Sequence, residues 1–226
     1  MWDLNTNLNV QKIQVQDTLA YVIDDFYKDP DRLARYLFSR ELPLYKDHVN
    51  WAGKNLSRNG FDFEDKRFNC KQFTPAHRFL QELCGQHFLY NDPLISTNQT
   101  RFLDNDYNNR FLDHIWWPHS DAGYNGIVYF NKTDELNGTN LYDTDAEPPR
   151  YEEHVDPWRP KENYKIIHSF KPKFNRCVFF DGFKFPHGMA INNNQYHCKS
   201  LTRAHWETYR TNQVFFFETK PTPKQQ

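Results

Sequence analysis

The stretch Trp116-Trp117-Pro118-His119-Ser120-Asp121 places a histidine and an aspartate two residues apart, directly after two tryptophans and a proline. If this stretch is extended, His119 and Asp121 project from the same face, because side chains alternate along a strand. An imidazole and a carboxylate are two of the three ligands in the 2-His-1-carboxylate triad that binds non-haem Fe(II). A His-x-Asp pair also occurs by chance, so this interpretation depends on a second histidine and a cosubstrate anchor elsewhere in the chain.

The sequence around and beyond this stretch is typical of many short strands. Apolar or alternating runs, separated by clusters of Asn, Asp, Gly and Pro, lie around 95–103, 111–117, 126–130, 139–142, 165–170, 176–181, 187–191 and 210–218. This punctuation predicts a sandwich or barrel rather than a parallel α/β sheet. Aromatic residues, which favour strands, make up 17% of the 226 residues.

The N-terminal part predicts one strand and two helices. Residues 10–24 alternate loosely and predict a strand. Asp29-Pro30 is a helix cap followed by proline at the first helical position, and the apolar spacing after it predicts about three helical turns. Thr74-Pro75 repeats this signal, with Gly85 as the expected stop. Residues 41–73 give no clear pattern. Helices followed by many strands indicate a helix-supported double sheet.

The second histidine is expected on a later strand. The best candidate is His187, which follows the apolar run Cys177-Val178-Phe179-Phe180 and lies in Pro186-His187-Gly188, where small residues let the backbone come close to a metal. The competing histidines are His114, His154, His168, His197 and His205.

A possible cosubstrate anchor follows in the run from Tyr209 to Phe217. Arg210, Asn212, Val214 and Phe216 share one face of this strand by alternation. An arginine on an otherwise apolar interior face requires an anionic partner, because a buried unpaired charge is very costly. That partner is either an acidic side chain or a ligand carboxylate bound bidentately. Arg203 and Lys199 are the alternates.

The order of these elements resembles the Fe(II)/2-oxoglutarate-dependent dioxygenases, in the branch of prolyl-4-hydroxylase-like enzymes and their bacterial and phage relatives of unassigned substrate. The resemblance covers roughly residues 18–40 and 95–218. It rests on an ordered set of segments: Tyr21-Val22-Ile23-Asp24-Asp25-Phe26-Tyr27, Pro118-His119-Ser120-Asp121, Gly126-Ile127-Val128-Tyr129-Phe130-Asn131, Asn137-Gly138-Thr139-Asn140-Leu141-Tyr142, Asn175-Arg176-Cys177-Val178-Phe179-Phe180, His187 and Arg210.

The resemblance implies a fold and a set of site residues. The fold is α+β, mostly β with supporting helices: a double-stranded β-helix (jelly roll, cupin-like) core with N-terminal helices packed on one sheet. One domain is expected over 1–226, with N-terminal support in 1–93, the jelly-roll core in 94–218 and a tail in 219–226. The implied metal ligands, which are also the catalytic residues, are His119, Asp121 and His187. Arg210 would pair with the distal carboxylate of 2-oxoglutarate; Arg203 is the alternate because the stretch after His187 is longer than in compact members. Tyr129 is a further candidate for the cosubstrate site.

The implied cofactors are Fe(II), 2-oxoglutarate and O2, with ascorbate as a further candidate. The implied reaction hydroxylates an unidentified substrate, either a protein or peptide side chain or a small molecule, and forms succinate and CO2. Asp121 favours hydroxylation, since related halogenases lack this carboxylate. The alternatives are a nucleic-acid dealkylase of the same superfamily and a non-catalytic jelly-roll binding protein.

Composition and charge bear on partners and location. A formal net charge of -1 provides no general basic field for nucleic acid, which argues against the dealkylase. Four widely spaced cysteines predict reduced thiols, and the absence of a signal peptide or membrane-length apolar run predicts a soluble cytoplasmic protein. The acidic, proline-rich stretch 143–164 is either a solvated connection or a loop that covers the mouth of the site.

Overall fold

The computed structural model describes residues 2–39, 46–51, 54–57, 63–84, 94–102, 112–132, 138–145, 158–191 and 209–217. Gly85, the stretch 146–157 and the tail 219–226 lie outside the described residues. The helices are α1 (Pro30–Phe38) and α2 (Pro75–Cys84). The strands are β1 (Asn9–Val15), β2 (Thr18–Asp24), β3 (Lys46–Trp51), β4 (Lys54–Ser57), β5 (Phe63–Lys71), β6 (Leu94–Phe102), β7 (His114–His119), β8 (Tyr124–Tyr129), β9 (Thr139–Asp143), β10 (Trp158–Pro160), β11 (Lys165–Phe170), β12 (Cys177–Asp181), β13 (His187–Met189) and β14 (Arg210–Phe216).

The strands form two large antiparallel sheets. The seven-stranded sheet has the order β1-β2-β12-β8-β14-β6-β5, and the five-stranded sheet has the order β10-β7-β13-β9-β11. Strands β6, β8, β12 and β14 belong to the first sheet, whereas β7, β9, β11 and β13 belong to the second. The chain therefore crosses repeatedly between the two sheets, as in a double-stranded β-helix. The predicted fold class is confirmed, and each of the eight strand regions predicted beyond residue 94 corresponds to an observed strand.

Two hydrophobic cores result from the alternation along the strands of the seven-stranded sheet. In β8, Ile127 and Tyr129 face the five-stranded sheet and pack with residues such as Leu141 and Phe170. The neighbouring Val128 instead packs on the other side of the sheet, in the core that contains both helices. That second core includes Tyr21, Ile23, Phe26, Leu33, Leu37, Ala76, Leu80, Phe179 and Phe215. The helices thus support the outer face of one sheet, as predicted.

The helix starts follow the sequence signals. Asp29 caps α1, because its Oδ1 accepts a hydrogen bond from the backbone N–H of Arg32 at 3.1 Å. At the start of α2, Nδ1 of His77 instead accepts from the backbone N–H of Thr74 at 3.2 Å. Neither helix, within the part of the chain that is described, is long and apolar enough to cross a membrane.

Three segments differ from the sequence prediction. The strand predicted over 10–24 is a hairpin of β1 and β2, which turns at Gln16 with φ of 50°. The region 41–73, which gives no clear sequence pattern, contains β3, β4 and β5. The charged sequence of β5 carries no alternating apolar pattern, and this strand pairs with β6 over its whole length. The stretch 143–164 contains β10, followed by a 3-10 turn over Lys161–Asn163.

Candidate metal centre

The structure brings His119, Asp121 and His187 together where two adjacent interior strands of the five-stranded sheet, β7 and β13, end and begin. His119 is the last residue of β7, His187 is the first of β13, and the two are direct partners in the antiparallel register. Oδ2 of Asp121 lies 3.8 Å from Nε2 of His119 and 3.3 Å from Nε2 of His187. The three potential ligand atoms all lie within 4.8 Å of one another. Sequence reasoning had grouped these same three side chains.

In both histidines, Nδ1 forms a hydrogen bond to a backbone carbonyl oxygen, which orients the ring. Nδ1 of His119 lies 2.9 Å from the carbonyl oxygen of Trp117, and Nδ1 of His187 lies 3.1 Å from that of Phe185. A carbonyl oxygen can only accept, so each Nδ1 carries a hydrogen and donates it. In the neutral ring, Nε2 then keeps its lone pair and points it towards Asp121. This is the orientation that a metal-binding histidine requires.

An irregularity in β7 sets the position of His119. Trp117 has φ of 44°, in the left-handed region that a bulky residue rarely adopts, and the register between β7 and β13 shifts between His187 and Met189. Gly188 accommodates this bulge: a Cβ at residue 188 would lie 2.6 Å from the carbonyl oxygen of Trp116. The close approach predicted at Gly188 is therefore made to the backbone of the neighbouring strand.

Asp121 is mostly enclosed and ionised. Its backbone N–H donates to the carbonyl oxygen of Gly182 at 2.9 Å, which fixes the turn after β7. Burial raises the pKa of the Asp121 carboxyl, but His187 and His119, when their rings are protonated, and the amide of Asn125 hold that pKa well below its usual range. The side chain therefore presents a carboxylate at neutral pH.

Sequence reasoning missed Asn125, which lies in β8 of the opposite sheet. Its Nδ2 is 2.5 Å from Oδ2 of Asp121 and 3.0 Å from Nε2 of His187. A signal was present in the sequence. Asn125 is a polar residue in the otherwise apolar run before Ile127 and Tyr129, with which it shares the inward face by alternation.

A cavity of about 300 Å³ extends from the three side chains between the two sheets. Arg210, Asn212, Val214 and Phe216 all border it, in agreement with the predicted shared face of β14. Its polar wall also includes Asn98, Thr100, Ser120 and Thr139, and its aromatic wall includes Trp116 and Trp117. Trp116 is in turn supported by Trp158 of β10, at a ring-centroid distance of 5.1 Å.

Arg210 borders the same cavity from the seven-stranded sheet and is 7% exposed. Its guanidinium donates to Oδ1 of Asn212 at 2.8 Å and to the carbonyl oxygen of Gly138 at 3.2 Å. The guanidinium carbon also lies 5.6 Å from the ring centroid of Tyr129, whose hydroxyl is 2.8 Å from Oγ1 of Thr139. Burial raises the pKa of Tyr129, so that its hydroxyl stays protonated. Tyr129 therefore lies beside the candidate anchor.

The two competing histidines that the structure describes do not join this group. His114 begins β7 and His168 lies in β11, where its ring packs on Phe170 at a centroid distance of 4.4 Å. Within the described ranges, the cluster able to hold a metal ion consists of His119, Asp121 and His187. The alternate anchors Arg203 and Lys199, and also His154, His197 and His205, lie outside the described residues.

Comparisons with known proteins give matches at the level of structure. No protein-family model and no curated protein matches the sequence. A homologue of bsmA from Methylobium petroleophilum PM1 matches with a TM-score of 0.43 and 8% identity, covering 86% of this chain and 83% of that chain. An oxidoreductase of the 2OG-Fe(II) oxygenase family from Burkholderia pseudomallei matches with a TM-score of 0.46 and 13% identity, covering 88% of this chain and 84% of that chain. In overall architecture, the chain is similar to that family member.

Proposed function

We propose that this chain is an Fe(II)- and 2-oxoglutarate-dependent oxygenase that hydroxylates a small molecule or a peptide side chain. One observation supports this proposal above all others. Two imidazole nitrogens and one carboxylate oxygen converge beside a cavity that the buried Arg210 also lines, from the other sheet. A metal and a dicarboxylate could therefore be bound in the same space.

The three side chains fit Fe(II) in both chemistry and spacing. Two neutral imidazoles and one carboxylate form the donor set of the facial triad, which leaves positions open for other ligands. With metal–ligand bonds of roughly 2.1 Å, donor atoms on one octahedral face lie about 3.0 Å apart. The observed separations of 3.3 and 3.8 Å from Oδ2 of Asp121 need only a small contraction.

Arg210 and its neighbours in the cavity wall suit the distal carboxylate of 2-oxoglutarate. A guanidinium binds a carboxylate through two parallel hydrogen bonds, and Arg210 reaches the cavity from the first position of β14. The hydroxyl of Thr139, next to that of Tyr129, is a further polar group in this wall. Arg210 would bind and orient the cosubstrate, with the keto acid end directed at the metal ligands.

Bound iron would activate O2 and couple the oxidative decarboxylation of 2-oxoglutarate, which yields succinate and CO2, to substrate oxidation. His119, Asp121 and His187 would hold the iron, Arg210 would orient the cosubstrate, and the cavity walls would limit the access of water. Asp121 favours hydroxylation over halogenation, because its carboxylate occupies the position that a halide would otherwise take. Ascorbate would serve only to keep the iron reduced.

The test combines iron binding with 2-oxoglutarate turnover. We expect wild-type protein to bind one Fe(II) anaerobically in titration calorimetry and to convert 2-oxoglutarate to succinate in air, with or without ascorbate. His119→Ala, Asp121→Ala and His187→Ala should each lose both properties, because a triad with two ligands leaves the metal weakly held. His168→Ala is the matched control, since it removes an imidazole from β11, at the edge of the same sheet.

Two results would contradict the proposal. An Asp121→Ala protein with normal iron content and turnover would show that the metal lies elsewhere. A wild-type protein that binds Fe(II) through these three residues but never forms succinate would instead be a metal-binding protein without oxygenase activity.

A further inference from the structure

Asn125 is a buried polar side chain directed at the proposed metal centre from the opposite sheet, and it is 1% exposed. Its neighbours there are Oδ2 of Asp121, at 2.5 Å, and Nε2 of His187, at 3.0 Å. Both atoms are hydrogen-bond acceptors, since Nδ1 of His187 carries the ring hydrogen. The amide nitrogen, with its two hydrogens, is therefore the atom that faces them, and it donates to both.

The surrounding backbone holds this amide in place. Asn125 lies in the middle of the seven-stranded sheet, opposite Phe180 of β12 and Phe216 of β14. The space for its amide exists because residue 182 is glycine, as a Cβ there would lie 2.6 Å from Nδ2. Its Oδ1 is buried and has no hydrogen-bond partner among the described residues. A buried unsatisfied carbonyl costs about 1–3 kcal/mol, so an asparagine at this position indicates a role for its amide nitrogen.

We infer that Asn125 is a positioning residue of the metal centre, an inference that rests on the proposed function. One N–H donates to Oδ2 of Asp121, the oxygen that also lies nearest the two imidazole nitrogens, and so fixes the orientation in which the carboxylate would meet the cation. The other N–H engages the lone pair of His187 Nε2 in the metal-free protein. A divalent cation takes that same lone pair and displaces this second hydrogen bond. In the metal-free protein, the amide of Asn125 thus holds Asp121 and His187 close to each other.

The test uses Co(II), whose visible absorption reports the number and arrangement of its ligands. Asn125→Leu keeps the volume of the side chain but removes both donors. We expect Co(II) to bind about 10- to 100-fold more weakly, the usual effect of losing a partner that orients a metal ligand. We also expect a changed Co(II) spectrum, because the Asp121 carboxylate loses the hydrogen bond that fixes its orientation. Asn140→Leu is the matched control; that buried asparagine bonds Ser169 and Tyr142 instead and should leave the affinity and spectrum unchanged.

The outcomes separate this inference from the proposed function. If wild-type protein binds no Co(II), or binds it equally well after His119→Ala, the proposed metal centre is wrong and the inference fails with it. If binding requires His119 but Asn125→Leu leaves both affinity and spectrum at the wild-type values, only the inference is overturned. Should Asn125→Leu fail to fold by circular dichroism, Asn125→Ala provides the same test, because it removes the donors without placing apolar atoms against the carboxylate.

Discussion

Replacement of Arg210 by alanine should raise the KM for 2-oxoglutarate by one to about four orders of magnitude. Arg210 is almost fully buried and borders the cavity, so its pairing with a carboxylate would be shielded from water. Each hydrogen bond to a charged group contributes about 1.5–3 kcal/mol. One such bond corresponds to roughly 10- to 150-fold in affinity, and a bidentate pair at the upper end corresponds to about 10⁴-fold.

The assay measures initial rates of succinate formation over a wide range of 2-oxoglutarate concentrations. Arg210→Lys keeps the positive charge but loses the planar fork, so its KM should lie between those of wild type and Arg210→Ala. Fe(II) affinity, measured anaerobically without cosubstrate, should stay at the wild-type value, because Arg210 is not one of the three proposed ligands. Thermal unfolding must be recorded for each variant, since the guanidinium also donates to Asn212 and to the carbonyl of Gly138.

The matched comparison is Arg203→Ala, which removes the alternate anchor. If Arg203→Ala raises the KM for 2-oxoglutarate and Arg210→Ala does not, the anchor has been assigned to the wrong arginine. If neither does so while the protein still forms succinate, the cosubstrate does not bind along β14 at all.

Two further predictions concern stability and strand packing. The carboxylate of Asp24 accepts hydrogen bonds from Nε of Arg176 at 2.6 Å and Nη2 at 3.1 Å, which, with Lys173, hold the pKa of Asp24 below its usual range. This stabilisation is fully present above the unfolded pKa of about 3.9 and is lost as the pH falls through the lower folded pKa. In urea unfolding, Asp24→Asn should therefore lower the free energy of unfolding by about 1–2 kcal/mol at pH 7 and by much less near pH 3. An equal loss at both pH values would contradict this argument. Gly188→Ala should push β13 away from the carbonyl oxygen of Trp116 and weaken Fe(II) binding in calorimetry at least tenfold, the scale of a disturbed metal-ligand support. Gly126→Ala is its control, because its Cβ would meet the flexible side chain of Leu80 on the helix side, and equal Fe(II) affinities in the two variants would refute the argument.

The fold was predictable wherever burial imposes a pattern on the sequence. The strands beyond residue 94 alternate or are continuously apolar because they lie between a core and a second layer, and the turns between them carry their own residue signals. Strand β5 escaped prediction because it lies at the edge of its sheet and is specified by pairing with β6. The hairpin of β1 and β2 is not evident from the sequence, because its turn contains no glycine. The positive φ in this turn is adopted by Gln16, a residue type that rarely has one.

For the site, the sequence could supply the residue types but not the contacts. His119 and Asp121 could be paired from their spacing, and His187 from the apolar strand before it. The bulge at Trp117 could not be foreseen, because nothing about a tryptophan predicts a left-handed backbone. Asn125 could not be assigned either, since its role depends on which strand faces β7 and β13 across the core. That information belongs to the sheet order and not to any local pattern.

In the proposed oxygenase, the sheet order would allow metal binding and cosubstrate binding to be tuned separately. The two histidines lie at the paired ends of β7 and β13, so their spacing is fixed by hydrogen bonds within the five-stranded sheet. Arg210 belongs to β14 of the other sheet, so its position relative to the ligands depends on how the two sheets pack. One contact between the sheets is that of Phe180, whose ring centroid lies 4.9 Å from that of His187. A change within β7 or β13 should therefore act first on the metal, and a change in β14 should act first on 2-oxoglutarate. Asn125 is the exception, because it reaches from the seven-stranded sheet to Asp121 and His187. It therefore links the geometry of the proposed metal ligands to the sheet that carries the proposed cosubstrate anchor.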